Sequence, residues 1–411
     1  MTTPSFAEAQ RLDAADSLAG FRDRFDIPEG LIYLDGNSLG VLPRATAARI
    51  QDVVQREWGQ DLIRSWNKND WINAPGRLGD KIAGLIGAAP GEVIAADTTS
   101  INVFKALSAA VQMRPDRGVL LSEKGNFPTD AYMMEGLSAL TGGRVRQKLV
   151  EREDIIEALD ETVAVLLLTH THYKTGELFD MAAITAAAHE KGVLTIWDLS
   201  HSCGALPVDL NACQADFAVG CGYKYLNGGP GAPAFIFAAK RHQGAVFPAL
   251  SGWLGHAAPF AFTDDYTPAP GIDRFQCGTP GILGMAALEV GLDLMAEADM
   301  AEIRRKSVGL GDFFIAAVEQ LTEGFGLASP REGEKRGSQV SLTHADGFAI
   351  MQAMIARGVI GDFRAPNILR FGFTPLYVSY EDAWRAAETL AAIMDERAWD
   401  TPEFKQMEAV T

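Results

Sequence analysis

Long apolar runs are missing from this sequence, so it offers no segment of the about 20 apolar residues that a membrane-spanning helix needs. Its start is also unlike a secretory signal peptide, because Glu8, Asp13 and Asp16 interrupt the apolar residues there and no basic cluster precedes them. We therefore expect a cytoplasmic protein that does not bind membranes.

Cysteine is scarce, with four residues and no CxxC pair. A chain of 411 residues can bury a large core without disulfides, so reduced thiols are expected. Basic residues are also in deficit, since 36 lysines and arginines against 53 aspartates and glutamates give a net charge of −17. This charge repels nucleic acids, which are not expected as partners. Any anionic ligand must be held by individual cations, helix N-termini or backbone amides.

What the sequence does contain is an alternation of short runs rich in Val, Ile and Leu with helical stretches. This pattern is typical of an α/β fold with a mostly parallel sheet covered by helices on both faces. The predicted strands lie at residues 93–96, 118–122, 163–169, 193–198, 217–222 and 234–238, and the predicted helices between them include 101–113, 128–140 and 182–191. Ligands of such sheets bind beyond the carboxyl ends of the strands, so the polar residues there form the candidate site.

A second, smaller α+β unit is predicted beyond about residue 292. Its pattern comprises a helix at 299–321, a polar loop at 329–338, a strand at 339–343, a helix at 347–357, a strand at 368–373 and a last helix. Ser379 and Asp382 have the spacing of a capping box at the start of that last helix.

Lys224 is the most informative single residue. It follows the predicted strand at 217–222, stands among glycines, and has another apolar strand behind it. A lysine in this position points into a cleft, where partial desolvation lowers its pKa and leaves part of it as a nucleophilic amine. Such an amine can form a Schiff base with a carbonyl cofactor. The alternative is a hairpin lysine whose ammonium group extends to water.

Asp198 ends the apolar strand at 193–198, and a carboxylate there suits the pyridine nitrogen of pyridoxal phosphate, which it keeps protonated. His201 is placed to orient Asp198 or to contact the cofactor. The alternatives are that Asp198 caps the next short helix and that His201 is structural.

Two further strand ends fit the same cofactor. Thr99 and Ser100 follow the strand at 93–96, where hydroxyls and free amides at a helix start suit a phosphate, although ordinary helix capping explains them equally. Phe127 and Asp130 follow the next strand, and Phe127 is either a ring that stacks on the cofactor or a plain core residue. The order of phosphate turn, aromatic ring, aspartate and lysine, each after a separate strand, favours the functional interpretation.

A metal site is not predicted. His170 and His172 have the look of a metal-binding pair, but no further His, Cys or carboxylate cluster offers a third ligand.

Short motifs along most of the chain point to one family. They lie at residues 33–40, 64–67, 97–102, 127–130, 175–176, 198–201, 223–227, 252–256, 275–280 and 370–377. With these motifs the chain resembles the kynureninase family of fold-type-I pyridoxal-phosphate enzymes. The resemblance implies a large cofactor-binding domain at 61–295 with a seven-stranded type of sheet, a small C-terminal domain at 296–411, and an N-terminal segment at 1–60 that packs with the small domain.

The resemblance also implies a role for each candidate residue. Lys224 would carry the cofactor as a Schiff base, Asp198 would pair with the pyridine nitrogen, and Phe127 would stack on the ring. The implied phosphate ligands are Thr99, Ser100, Tyr223 and Trp253, with Thr279 reaching across from the other subunit of a homodimer. Asp130, Thr169 and His201 would complete the cofactor pocket. Arg370 would bind the substrate α-carboxylate, and Trp66 and the turn at 38–40 would border the aromatic end of the substrate.

The implied reaction is hydrolysis of L-kynurenine, and of 3-hydroxykynurenine, to the corresponding anthranilate and L-alanine by cleavage of the Cβ–Cγ bond. Tyr223 is the candidate proton carrier, unless it only holds the phosphate. The alternatives are another enzyme of the same fold, such as a cysteine desulfurase or a small aminotransferase, and a sensor that binds the cofactor without catalysis. For Arg370 the alternative is a structural arginine paired within its own domain, for example with Asp362.

Overall fold

The computed structural model describes residues 3–406, and among these residues no helix is both long and apolar enough to cross a membrane. Numbered in chain order, the strands are β1 (Ile32–Tyr33), β2 (Val93–Ala95), β3 (Val119–Glu123), β4 (Arg146–Val150), β5 (Val163–Thr169), β6 (Leu194–Asp198), β7 (Phe217–Gly220), β8 (Phe235–Ala238), β9 (Gly326–Leu327), β10 (Gln339–Thr343), β11 (Val359–Ile360), β12 (Asp362–Arg364) and β13 (Ile368–Gly372). The α-helices are α1 (Phe6–Ala14), α2 (Arg44–Asp52), α3 (Ser65–Lys68), α4 (Ala74–Leu85), α5 (Thr99–Met113), α6 (Pro128–Leu140), α7 (Met181–Glu190), α8 (Lys240–Gln243), α9 (Ile282–Ala296), α10 (Met300–Leu321), α11 (Gly347–Ala356) and α12 (Tyr380–Glu396).

The main sheet has seven strands in the order β2-β8-β7-β6-β5-β3-β4. β4, β3, β5, β6 and β7 are parallel, whereas β8 runs antiparallel to both of its neighbours, β7 and β2. The predicted α/β class, the mostly parallel sheet and each predicted strand are therefore confirmed. β4 escaped prediction because it is an edge strand whose side chains are half-buried or exposed, so it carries no apolar run.

Helices cover both faces of this sheet. Leu166 and Leu168 of β5 pack toward the core that contains α4, α7 and α9, whereas Val165 and Leu167 pack toward the core that contains α5 and α6. Side chains alternate between the faces of a strand, so a strand covered on both faces is apolar throughout. This explains why the central strands are visible in the sequence as continuous apolar runs.

The smaller unit contains a four-stranded antiparallel sheet in the order β12-β13-β10-β9, against which α10 and α11 pack. The rings of Phe314 on α10 and Phe371 on β13 lie 4.9 Å apart in its core. The capping box of α12 is confirmed, because the Ser379 Oγ accepts from the Asp382 N–H and the Asp382 Oδ2 accepts from the Ser379 N–H, both at 3.0 Å.

The N-terminal residues pack on this smaller unit. β1 pairs in parallel with β11, and α1 contacts α12. The Asp13 carboxylate accepts hydrogen bonds from the N–H groups of Tyr380 and Glu381 at the start of α12, at 2.7 and 2.9 Å. A carboxylate at a helix N-terminus is a favourable pairing, since the first N–H groups have no partners within the helix. The division of the chain at residues 60 and 295 stays a prediction.

The carboxyl ends of the parallel strands bring distant residues together. Thr169 and Asp198 are the last residues of β5 and β6, Asn126 follows β3, and Lys224 follows β7. Since parallel strands end at the same edge of a sheet, these four side chains lie at one edge, where ligands of such folds bind.

Asp216 directly precedes β7, and its side chain links three other elements, β6, α7 and α8. Its buried carboxylate accepts hydrogen bonds from the Thr195 N–H of β6 (2.8 Å), from His189 of α7 (2.8 Å), and from Arg241 (2.8 Å) and His242 (2.6 Å) of α8. Burial by itself raises the pKa of Asp216, but the hydrogen bonds from His242, His189 and Thr195 outweigh it and hold the pKa well below the ordinary value.

We predict that Asp216→Asn lowers the free energy of unfolding by about 3 to 5 kcal/mol, because removing one partner of a buried charge network leaves the others unpaired. A lowered folded pKa contributes stability above the unfolded pKa, about 3.9, and loses it only as the pH falls toward the folded value. The difference from wild type in urea unfolding should therefore not shrink between pH 7 and pH 5. Asp264→Asn, in an exposed loop, is the control and should change stability by less than about 0.5 kcal/mol. A difference that fades between pH 7 and pH 5 would contradict the role given to the carboxylate.

Candidate active site

A cavity of about 300 Å³ opens at the carboxyl edge of the main sheet. Its lining comprises Thr98, Thr99, Ser100, Phe127, Thr129, Asp130, Thr169, Tyr173, Asp198, Ser200, His201, Tyr223 and Lys224. The volume lies at the lower end of the range for small-molecule sites. The structure thus brings together most of the residues that the sequence singles out, although they end or follow five different strands.

Lys224 lies at the centre of this cavity. Its side chain is buried, with 9% of the residue exposed, rather than extended into solvent. The Lys224 Nζ lies 2.9 Å from the His201 Nε2 and 5.9 Å from the centroid of the Phe127 ring. Burial lowers the pKa of Lys224, so a larger fraction of its amine is neutral than in water.

The backbone of Lys224 is held by the N-terminal turn. The Gly40 N–H donates to the Tyr223 carbonyl at 2.8 Å. A Cβ on Gly40 would stand 2.3 Å from the Lys224 carbonyl oxygen and 2.8 Å from the Asn227 Cα, so only glycine allows this close approach. The turn at 38–40 therefore lies directly behind the lysine.

Asp198 and His201 border Lys224 on the β6 side. The Asp198 Oδ1 accepts a hydrogen bond from the Ser200 N–H at 2.7 Å, so Asp198 does cap the following turn as well as line the cavity. Burial raises the pKa of Asp198. Burial and then the charge of Lys224 lower the pKa of His201 well below its ordinary value, so the imidazole is neutral and the tautomer with a bare Nε2 can accept from the lysine.

Asp130 belongs to a buried network that the sequence analysis missed. The Asn126 Oδ1 accepts from the Thr169 Oγ1 at 2.5 Å, and the Asn126 Nδ2 donates to the Asp130 Oδ2 at 3.3 Å. The other carboxylate oxygen of Asp130, Oδ1, is buried and has no hydrogen-bond partner within residues 3–406. Burial and then the nearby Asp198 raise the pKa of Asp130 well above its ordinary value. A cationic or hydrogen-bond-donating ligand in the cavity would relieve both carboxylates.

Tyr173 is a second residue that the sequence analysis missed. Its ring lines the cavity and meets the Phe127 ring edge to face, with the centroids 5.2 Å apart. Phe127 is 40% exposed and lines the cavity, so it is not the core residue of the alternative interpretation, and its ring is accessible to a ligand. Tyr173 lies four residues beyond Thr169, the polar end of β5, and this position was the available signal.

The start of α5 forms one end of the cavity. The Thr98 Oγ1 caps the helix by accepting from the Ile101 N–H at 3.4 Å, and Thr99 and Ser100 occupy the first turn. The first N–H groups of a helix have no intrahelical partners and carry partial positive charge, so this end of the cavity suits an anion.

Trp66, Trp253 and Thr279 do not line this cavity in the part of the chain that the structure describes. The Trp66 ring packs against Trp71 with centroids 6.0 Å apart, and the Trp253 ring packs against Phe260 at 5.7 Å. Thr279 lines a separate cavity of about 230 Å³ next to Asp97. Their site roles stay predictions.

Arg370 lies on β13, beside the cavity rather than in its lining. Its Nε donates to the Asp362 Oδ1 at 2.6 Å, its Nη2 contacts the other oxygen of Asp362, and its Nη1 donates to the Tyr173 carbonyl at 2.5 Å. The pairing with Asp362 that the alternative interpretation named is therefore present. The bond to Tyr173 also places the guanidinium against the wall of the cavity.

His170 and His172 do not form part of a metal cluster, since residues 3–406 contain no group of three His, Cys, Asp or Glu side chains arranged to hold an ion. The His172 Nδ1 lies 2.9 Å from the Thr175 Oγ1, and its Nε2 lies 3.1 Å from the Gly125 carbonyl oxygen, so its ring joins the turns after β3 and β5.

Comparison with known sequences gives full-length relatives. The chain is 53% identical over 411 aligned residues to a kynureninase of Burkholderia pseudomallei (strain 1106a), covering 98% of this chain and 99% of that protein. It is 50% identical over 407 residues to a kynureninase of Pseudomonas fluorescens, covering 97% and 98%. The family model described as the kynureninase C-terminal domain matches residues 303–390.

Solved structures share the fold at much lower identity. A cysteine desulfurase from Escherichia coli matches with a TM-score of 0.77 and 17% identity, over 93% of this chain and 98% of that one. The cystine C-S lyase C-DES, in complex with its reaction product cysteine persulfide, matches with a TM-score of 0.76 and 17% identity, over 88% of this chain and 98% of that one. Likeness at this level of identity concerns the fold alone.

Proposed function

The chain belongs to the kynureninase family, and on that premise we propose that it is a pyridoxal-phosphate enzyme that hydrolyses L-kynurenine, and 3-hydroxykynurenine, to the corresponding anthranilate and L-alanine. The observation that carries the proposal is the buried amine of Lys224, which shares one cavity with Asp198, Asp130 and a helix N-terminus. Near-complete coverage of relatives at about half identity supports the same activity.

The cavity residues fit pyridoxal phosphate by their chemistry. The cofactor's phosphate suits the start of α5 with Thr99, Ser100 and the Tyr223 hydroxyl, and its aldehyde suits the Lys224 amine. Its protonated ring nitrogen suits Asp198, and the exposed face of Phe127 suits its ring. Asp130, whose Oδ1 has no partner in the described residues, Thr169 and His201 would complete the pocket.

When bound, the cofactor supplies an electron sink that stabilises negative charge at the substrate α-carbon. Lys224 would hold the cofactor through its aldehyde, and its amine would remove the α-proton of the substrate. This task suits a lysine whose pKa is lowered by burial. The carboxylate of Asp198 would keep the ring nitrogen protonated. Water adds to the substrate γ-carbonyl, and the Cβ–Cγ bond breaks with its electrons passing to Cβ, which must then be protonated.

Tyr223 is our candidate for the proton donor in that last step. Its phenol lines the cavity, and the Lys224 Nζ lies 5.8 Å from its ring centroid. Burial raises the pKa of Tyr223, so the phenol carries its proton at neutral pH.

The thiols argue against a cysteine desulfurase, the nearest alternative. A desulfurase needs a reactive thiolate, and thiolates form at exposed, electropositive positions. Here Cys203 and Cys221 are buried, Cys213 and Cys277 are half-buried, and burial raises the pKa of all four thiols. Unpaired thiols also agree with the cytoplasmic location that we propose, because that compartment is reducing.

We further propose a homodimer in which Thr279 and Trp253 of one subunit complete the phosphate site of the other. Neither residue lines the cavity of its own chain, and the surface near Trp253 carries the exposed rings of Phe260 and Phe262. Exposed aromatic clusters of this kind mark interaction surfaces.

Incubation with L-kynurenine, 3-hydroxykynurenine and L-cysteine, with products analysed by mass spectrometry, tests the activity. We predict anthranilate, 3-hydroxyanthranilate and alanine, and no sulfide. Borohydride reduction of the holoenzyme should place the pyridoxyl group on Lys224, and Lys224→Ala should lose both this adduct and the activity. Lys174→Ala is the control. An adduct on another lysine, or turnover of cysteine in place of kynurenine, would refute the proposal.

Hybrid dimers test whether Thr279 acts across the interface. We predict that Lys224→Ala and Thr279→Glu are each inactive as homodimers, the second because a carboxylate repels the phosphate. A hybrid of the two should regain up to about half of the wild-type activity, because one of its two sites is then intact. A hybrid as inactive as both parents, or an active monomer, would show that Thr279 acts within its own chain or not at all.

Arg370→Lys tests the grip on the substrate carboxylate. The Nε and Nη2 of Arg370 already engage Asp362, so Arg370 can give the substrate one charge-assisted hydrogen bond from its Nη1, and the single ammonium of a lysine cannot keep both contacts. We predict that kcat/KM for kynurenine falls by roughly tenfold to a hundredfold, the equivalent of about 1.5 to 3 kcal/mol, while cofactor binding persists. Melting temperature is measured alongside. A lowered melting temperature with unchanged kcat/KM would leave Arg370 with only its structural pairing to Asp362.

A further inference from the structure

Four charged side chains gather beside the cavity, where the N-terminal turn meets β12 and β13. They are Asp35, Asp362, Arg364 and Arg370, and all except Arg364 are largely buried. Two positive and two negative groups make the cluster neutral when both carboxylates are ionised. Burial, and then the charge of Asp362, raises the pKa of Asp35 to about 7.

Most N–H donors of Arg370 are already engaged within the protein, so few are available to a ligand. A guanidinium has five N–H groups. In Arg370, two of them engage the two oxygens of Asp362, one donates to the Tyr173 carbonyl at 2.5 Å, and one donates to the Ser38 Oγ at 3.1 Å. The edge of the guanidinium that would grip a carboxylate with two hydrogen bonds is therefore already occupied.

Asp362 is not readily displaced from that edge. The Ser38 Oγ donates to the Asp362 Oδ2 at 2.8 Å, and the Arg364 Nη2 lies 2.8 Å from the same oxygen. Its burial and the positive charges around it hold it in place, and releasing it would leave a buried carboxylate unpaired. An incoming carboxylate thus meets an Arg370 whose charge and donors are already matched by Asp362.

Arg364 is the cation of the cluster with donors to spare. Within residues 3–406, only one of its N–H groups donates a hydrogen bond, to the Phe363 carbonyl at 2.9 Å. Its side chain is 34% exposed, so its guanidinium is accessible to a small molecule. It also lies close to Arg370, because the Nη2 atoms of both arginines contact the same oxygen of Asp362, Oδ2.

We propose that Arg364 binds the substrate α-carboxylate together with Arg370, forming a two-arginine subsite in which Arg370 contributes one hydrogen bond and Arg364 contributes the N–H donors that it does not use within the protein. This inference rests on the proposed function, since it concerns the amino-acid substrate of the same cavity. Its consequence is selectivity: the subsite prefers a free α-carboxylate over an amide, because only an anion compensates the desolvated guanidinium.

The test compares the binding of L-alanine and L-alaninamide to the holoenzyme by calorimetry. Arg364→Gln should weaken alanine binding by about tenfold or more and leave alaninamide binding unchanged, so that the preference for the carboxylate collapses. Arg364→Lys should retain an intermediate preference, because it keeps the charge. The control is Arg357→Gln, which removes an ion pair to Glu396 on the surface of the same unit. This control variant should bind both ligands with the affinity of the wild type.

Two outcomes would overturn the proposal. One is unchanged alanine affinity in Arg364→Gln. The other is an equal loss of alanine and alaninamide affinity together with a lowered melting temperature, which would mark Arg364 as a structural partner of Asp362. The comparison does not depend on kynurenine, because alanine carries the α-carboxylate of any amino-acid substrate. If the enzyme did not cleave kynurenine, the proposed function would be wrong. The alanine experiment would still decide whether Arg364 binds an α-carboxylate.

Discussion

The hydrogen bond between the Lys224 Nζ and the His201 Nε2, 2.9 Å long, joins the loop after β7 to the turn after β6 and fixes a lysine amine inside the protein. A buried amine requires partners that do not carry positive charge. His201 meets this requirement because burial keeps its imidazole neutral. Asp198 and Asp130 lie in the same cavity, and burial raises the pKa of both. A cofactor with a cationic ring and an anionic phosphate satisfies these carboxylates and the helix N-terminus at the same time.

The site also depends on contacts between the main sheet and the smaller unit. The Tyr173 carbonyl accepts from Arg370 and from the Gln339 Nε2, while the Tyr173 ring supports Phe127. The N-terminal turn makes a second connection, since Gly40 packs against the backbone of Lys224 and Ser38 contacts both Asp362 and Arg370. Contacts through Tyr173 and through the N-terminal turn therefore link the position of Lys224 to that of Arg370. A substrate that must reach both groups at once is held in a single orientation.

An acidic protein that binds anionic ligands needs local sources of positive potential, and the structure has two. The start of α5 supplies partial charges without a basic residue, which suits a phosphate. Arg364 and Arg370 supply full charges at the other side of the cavity, which suits a carboxylate. With a net charge of −17, the surface as a whole offers little attraction for anions, so their recognition depends on such local sources.

The sequence by itself determined six of the seven strands of the main sheet, all but the edge strand β4, and the convergence of Thr99, Phe127, Asp198 and Lys224. Each of these residues ends or follows a strand or begins a helix, and the ends of parallel strands share one edge, so local pattern is sufficient. Only the tertiary structure decided that Asn126 organises Asp130, that Tyr173 lines the cavity, and that Asp362 occupies the gripping edge of Arg370. It also decided that Trp66, Trp253 and Thr279 lie outside the cavity of their own chain. The physical reason is that these contacts depend on how separate elements pack, as in the hydrogen bond from Arg370 to Tyr173 across 197 residues, and no periodicity or spacing encodes such a distance.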